Sequence, residues 1–466
     1  MRNTSLQKIE LLRAPTIMRV AVVLALLFGL ESVGIAQAQD VELEYAVSFG
    51  IDGGTAYGED IAVDGEGNVY TTGYFSGTVD FDPSSGTTMI TSEGDYDAYV
   101  CKLDATGSLV WAKTIGGLYE ERSNGIAIDV SGNVYVTGRF ERTERIDDPD
   151  PVDLEEELKR RDESKSYFPL VGWDLFVSKL DSDGNILWTD VMQPTYSNDA
   201  EGFSIAVDAS GNVYTTGYFE ATIDFNPAEN AEHIVHAWYN DIFVCKLDTS
   251  GNFVWVRTVT GGDKGFGYDL AVDDAGNVYT TGAFGGEVDL DPGDGEAMFT
   301  SVGEDDIFVQ KLDSDGNFVW GRTMGGADDD AANGIAVDGS GNVYTTGSFR
   351  AVVDFDPGVG STNLTGVGRN DVFVHKLNGD GEFVWVRSPG GLENEFFYGE
   401  GRGIVVDATG GVYTVGYFDG AMDFDPGAGE SILDASGGVF VQRLSTDGNF
   451  VWARATGSNY VNPNVA

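Results

Sequence analysis

The chain has 466 residues, a formal net charge of −49, 64 glycines, 12 prolines and 12% aromatic side chains. That aromatic content excludes a disordered chain, and glycine without a Gly-X-Y period excludes a collagen-like one. The charge disfavours nucleic acid and anionic membrane surfaces as partners; it suits cations, basic partners or a salty medium.

In chain order, Arg13 and Arg19 precede an apolar run over residues 20–30, and Ala36-Gln37-Ala38 offers small residues for cleavage. A helix that short spans ~16 Å against ~30 Å of bilayer hydrocarbon. The expectation is a signal peptide at residues 1–38, hence a secreted or cell-surface protein without membrane insertion. Residues 39–466 read as one domain. Residues 44–50, Glu-Tyr-Ala-Val-Ser-Phe-Gly, resemble an unattached last strand of a repeat, with Tyr45 in the place of its Trp.

Gly-Asn-Val-Tyr then occurs at residues 67–70, 132–135, 211–214, 276–279 and 341–344, with a weakened copy at 410–413. Repetition at this period implies a repeat architecture. The fourth copy predicts four strands. Leu270-Ala271-Val272 leads through an Asp-Gly turn to residues 277–282. Then come Glu287-Val288-Asp289-Leu290-Asp291-Pro292 and a variable loop. Residues 306–312 form a third strand, and a second Asp-Gly turn leads to a fourth over residues 317–323. Each strand is a β-branched or aromatic run bounded by turn residues. Four strands in about 65 residues, repeated, is the pattern of a propeller blade.

The run Gly-Ile-Ala-Val-Asp-Gly-Ser-Gly-Asn-Val-Tyr at residues 334–344 resembles an NHL-type propeller repeat. With Val-Asp-Phe-Asp-Pro-Gly at residues 353–358 and Asp-Val-Phe-Val-His-Lys-Leu at residues 371–377, the chain resembles bacterial SBBP repeats over residues 45–456 or so. The resemblance implies an all-β β-propeller and little about activity. The fold expected is six complete four-stranded blades, marked by Trp111, Trp188, Trp255, Trp320, Trp385 and Trp452. The alternative is a seven-bladed design with an incomplete last blade and an exposed sheet edge prone to association. A charged insertion at about residues 141–171 interrupts the second copy and reads as a solvated loop or short exposed helix.

The up-and-down strand order places the uniform Asp-Gly turns on one face and the variable connections on the other, where binding is expected. Turns such as Asp-Ser-Asp-Gly-Asn at residues 181–185 and 313–317 read as hairpins, since the further ligands of a calcium loop are missing. The Asp-x-Asp-Pro motif is a candidate cation site, possible for Ca²⁺. It would use Asp80, Asp82 and Asp97, then Asp289, Asp291 and Asp306, then Asp354, Asp356 and Asp371. Its bland reading is a turn whose carboxylates accept backbone N–H bonds.

His233, His236 and His375 are the only histidines; His375 is expected on a strand surface. The lysines and arginines of strands three and four are expected to pair with acidic neighbours. Cys101 and Cys245 share one repeat position and lie too far apart to bridge, because packed sheets stand ~10 Å apart. No nucleophile elbow or phosphate loop is present. The function expected is a secreted, non-catalytic propeller engaging a protein or glycan. The alternatives are an extracellular polysaccharide hydrolase or lyase, and a purely structural surface protein.

Overall fold

A computed structural model describes residues 49–142, 172–194, 198–226, 233–237, 239–391 and 398–458. The expected signal peptide, Tyr45 and most of the charged insertion lie outside these residues. The protein is an all-β β-propeller. Among the described residues no helix is long and apolar enough to cross a membrane.

The fourth unit shows how the repeat folds. Lys264–Val272 (inner), Val278–Asp289 (second), Met298–Leu312 (third) and Phe318–Met324 (outer) pair in that order, all antiparallel. The same order begins at the inner strands Gly50–Val63, Glu121–Ile128, Ala200–Val207, Ala331–Val337 and Tyr398–Val406. Every inner strand carries a bulge at the same place, between Gly58 and Asp60 in the first unit and between Gly401 and Gly403 in the sixth. A bulge leaves one residue unpaired and bends the strand.

The Gly-Asn-Val-Tyr run closes the turn between inner and second strands. Asp338 Oδ1 accepts from the backbone N–H of Ser340 and Asn342 at 2.9 and 3.0 Å. Its Oδ2 accepts from Asn342 Nδ2 and the Tyr344 hydroxyl at 2.8 and 3.0 Å. Burial pushes this carboxyl up, but the bonds outweigh burial and hold it below the usual carboxylate range. The tyrosine ring is wholly buried, so one short motif fixes a turn and fills the core.

Successive units are joined by a latch that points forward along the chain. Trp320 Nε1 donates to the Gly379 carbonyl at 3.1 Å and Arg322 Nε to that of Gly381 at 2.7 Å, both in the next unit's outer turn. Lys311 Nζ reaches the Gly379 carbonyl too, and lies 4.9 Å from the Tyr279 ring centroid. These cations therefore serve backbone carbonyls and aromatic faces, not the acidic neighbours expected; among the described residues Arg443–Asp407 is an exception, at 3.5 Å. Gly381 sits under Trp320 with a φ of 74°, and a Cβ there would lie 2.9 Å from the indole.

Two further expectations change. The "variable loop" after Asp-x-Asp-Pro is a second hairpin, as in Val352–Asp354 paired with Asn363–Thr365. Its aromatic or leucine, Phe81, Phe225, Leu290, Phe355 or Phe424, is fully buried. His375 is likewise buried, not on the surface: its strand is covered by this hairpin, which the sequence did not announce. Cys101 and Cys245, at the same strand position, are free, as expected, and buried like His375.

Candidate functional site

The Asp-x-Asp-Pro carboxylates organise the second hairpin. Asp354 Oδ1 accepts from Asp356 N at 3.1 Å and Thr362 N at 2.8 Å, and Asp356 Oδ1 from Gly358 N at 2.9 Å. Asp80, Asp82, Asp289 and Asp291 repeat the pattern. Asp371 Oδ2 caps Val367 and Gly368, Asp97 caps Glu93 and Gly94, and Asp306 caps Val302, each closing its own turn. Among the described residues no group of three or more His, Cys, Asp or Glu side chains converges as a metal ligand set.

A different group of side chains gathers on the propeller axis. Inner strands of successive units bond directly to one another: Asp60 accepts from Ile126 N, Ser204 donates to Asp269, and Asp269 accepts from Ile335 N, at 2.6–2.9 Å. Asn124 Nδ2 bonds Glu201 and the Gly202 carbonyl, and Asn333 Nδ2 bonds Glu400 and the Gly401 carbonyl, at 2.9–3.0 Å. Burial along the axis pushes the Asp60 carboxyl up to about 7, with a further contribution from Asp269; burial also lifts Asp269 itself, to about 6.

Each inner strand enters from the variable face, so its first residues stand at the mouth of the axis. Here the repeat stops repeating. The paired inner and second-strand positions are Tyr57 and Tyr74, Arg122 and Arg139, Glu201 and Tyr218, Phe266 and Ala283, Ala331 and Ser348, Glu400 and Tyr417. On one side Tyr57 stacks on Tyr74 at 4.8 Å, and the Arg122 guanidinium lies 4.4 Å from the Tyr74 centroid. Arg122 pairs with Glu120 at 2.5 Å. Arg139 lies 4.0 Å over Trp173 and pairs with Glu201 at 2.9 Å. Burial raises the Glu201 carboxyl, and Arg139, Asn124 and Arg122 counter it.

On the other side four half-buried rings from units three and four form a closed cycle. Phe203, Tyr218, Phe266 and Tyr268 touch in turn with centroids 5.2–5.8 Å apart, Phe266 and Tyr268 almost parallel at 4°. The result is an aromatic platform beside a buried arginine–carboxylate pair. Such a surface offers ring faces for C–H groups and fixed planar donors and acceptors for hydroxyls or amides.

Sequence reasoning looked on this face to the long loops and not to the strand positions at the axial mouth. The missed signal was available: the residue after each Thr-Thr-Gly or its equivalent reads Tyr74, Arg139, Tyr218, Ala283, Ser348 and Tyr417 within a constant frame.

With this geometry the protein is of the β-propeller class. Residues 319–348 match the family model described as SBBP, a beta-propeller repeat. The chain is 22% identical over 270 residues to an uncharacterized WD repeat-containing protein of Acanthamoeba polyphaga mimivirus, covering 52% of this chain and 19% of that protein. It is 25% identical over 213 residues to the regulatory protein FlaEY of Caulobacter vibrioides, covering 46% of this chain and 22% of that one. The chain thus spans about a fifth of these relatives' length. Among solved structures, Sqt1 from Chaetomium thermophilum is similar at 11% identity and a TM-score of 0.39, covering 88% of this chain and 86% of that one. The β-propeller domain of the trilobed protease from Pyrococcus furiosus is similar at 10% identity and a TM-score of 0.35, covering 87% and 93%.

Proposed function

We propose that this is a secreted, non-catalytic binding propeller of six complete four-stranded blades, whose ligand is a glycan seated at the axial mouth. The observation that carries the reading is the ring cycle of Phe203, Tyr218, Phe266 and Tyr268 beside Arg139 and Glu201. Sugar rings present apolar C–H faces to aromatic platforms and hydroxyls to carboxylate–arginine pairs. A protein ligand would use the same surface through an aromatic or basic anchor. Secretion is supported by the apolar run at residues 20–30 and the small residues before position 39.

The test is a glycan array on the protein from residue 39 onward, with Arg139→Ala and Tyr268→Ala as variants. Each should weaken binding at least about tenfold, as loss of a buried anchor does, while the far-UV spectrum stays unchanged. Undiminished binding by both variants would place the ligand elsewhere. Release of shortened oligosaccharide, abolished by Glu201→Gln, would favour a hydrolase.

A further inference from the structure

One place in the array reverses a charge that every other copy keeps. The second residue after the outer-strand tryptophan is Lys113, Arg257, Arg322, Arg387 or Arg454 in five copies and Asp190 in the other. Three of the arginines show what this position does. The Arg257 guanidinium lies 5.3 Å from the Trp255 ring centroid. It donates Nε to the Gly316 carbonyl at 2.7 Å and Nη2 to that of Asp315 at 3.0 Å. Arg322 repeats this on Trp320, Gly381 and Asp380, and Arg387 on Trp385, Gly448 and Asp447. Each guanidinium fills a seat made of one indole face and two carbonyls of the next unit's outer turn. The Nη2 bond is exposed to solvent each time, so the seat opens outward.

Between units two and three the walls of the seat are the same. A Cβ added to Gly251 would lie 3.0 Å from the Trp188 indole, and one added to Gly316 lies 3.1 Å from that of Trp255. Asp190 Oδ2 stands where Arg257 Nε stands, each 2.9 Å from the same point. An ionised carboxylate has no donor to give. Asp190 therefore cannot serve the Gly251 and Ser250 carbonyls as Arg257 serves Gly316 and Asp315, nor lay a cation on Trp188. Its Oδ2 and the Trp188 Nε1 are buried without a partner among the described residues. Asp248 of the same turn adds its negative charge to that of Asp190, whereas the equivalent Asp313 is stabilised by Arg257. Lys179 does not substitute: its Nζ bonds Thr249, just as Lys246 bonds Ser314 beside a filled seat.

We propose that Trp188, Asp190 and the turn at residues 248–251 form a binding site for an arginine side chain of a basic partner protein. The site lies on the face of the uniform turns, opposite the axial mouth. The incoming guanidinium stacks on Trp188, gives N–H groups to the Gly251 and Ser250 carbonyls, and pairs with the Asp190 carboxylate. Its geometry is the one that Arg257, Arg322 and Arg387 adopt within the chain. A metal ion fits less well, because Ca²⁺ wants six to eight oxygens and no three carboxylate or imidazole groups converge among the described residues. The net charge of −49 draws basic partners toward this surface. It also repels the α-carboxylate of free arginine, which favours a side chain presented on a protein.

The test follows the Trp188 indole N–H of the full protein by NMR, its signal assigned by its loss in Trp188→Phe. The probe is the blocked peptide acetyl-Gly-Arg-Gly-amide. A saturable shift of that signal is expected. The corresponding lysine peptide should bind at least about tenfold more weakly, since an ammonium offers no planar fork. Asp190→Asn keeps the shape of the side chain and should weaken binding at least about tenfold, by removing the paired charge. Asp190→Arg places the chain's own guanidinium in the seat and should abolish binding. No saturable shift of the Trp188 signal overturns the proposal. Equal binding of the two peptides, or the same shift produced by CaCl₂ alone, overturns it by making the site one for any cation. Undiminished binding by Asp190→Asn overturns it by placing the arginine elsewhere. Free arginine that binds more tightly than the peptide overturns the partner protein and makes the ligand an amino acid.

Discussion

His375 shows how one side chain can break a rule that its neighbours keep. At the same position Gln310 donates Nε2 to the Leu290 carbonyl and Gln442 to the Phe424 carbonyl, each at 2.7 Å. Burial holds the His375 imidazole down at about 3, with the Phe355 carbonyl pulling the other way. An unfolded histidine titrates near 6.5, so below that pH the unfolded chain binds a proton that the folded one refuses. Stability from this site is full above ~6.5 and is lost as pH falls toward 3. His375→Gln should raise Tm at pH 5 by several degrees and flatten that acid-side loss, read by thermal melts at pH 7 and 5. Asp190 is a second irregularity. It stands where Arg257, Arg322 and Arg387 donate to the next turn, and its Oδ2 is buried without a partner among the described residues, with burial lifting the carboxyl to about 6. Asp190→Arg should restore the latch and stabilise the protein by about 1–2 kcal/mol, the worth of charge-assisted bonds to carbonyls, as measured by urea unfolding.

Among the elements, the turns were readable in advance and the second hairpins were not. Asp-x-x-Gly-Asn at residues 338–342 states its own hydrogen bonds, because the short carboxylate and the glycine admit few other conformations. The hairpin after Asp-Phe-Asp-Pro hides because three-residue strands such as Asn363–Thr365 show no period, and only tertiary burial of Phe355 holds them. The axial mouth lay between these cases: its face followed from strand order, but its residues emerge only when the copies are compared position by position. Turn and latch meet at Gly381. Gly381→Ala adds a Cβ in left-handed backbone and against the Trp320 ring, so it should cost about 2–4 kcal/mol in denaturant unfolding. An Ala at the exposed Gly339, with nothing within 4 Å of its Cβ, serves as the control.

At the scale of the whole molecule, buried acid sets the pH response. Burial pushes Asp60, Asp241, Asp330 and Glu121 up to about 7 and Asp269 and Asp306 to about 6. Between an unfolded carboxyl near 4 and these values the folded state binds the extra protons, so stability falls as pH rises through 6–7. The turn aspartates, held below their ordinary range, act in the opposite sense and only at strongly acid pH. Melting temperature should therefore peak on the acid side of neutrality and decline by pH 8. A net charge of −49 adds repulsion that salt screens, so the decline should shrink in high NaCl.

The latch also gives the array a polarity of fraying. Every donor points forward, from Trp320 and Arg322 to the turn of the unit that follows. Loss of a following unit would strand indole and guanidinium donors in a half-buried seam. Loss of a preceding unit merely uncovers the carbonyls of a tight turn, which water can solvate. Unzipping thus costs less from the front of each junction than from its rear, and partial unfolding has a direction written along the chain.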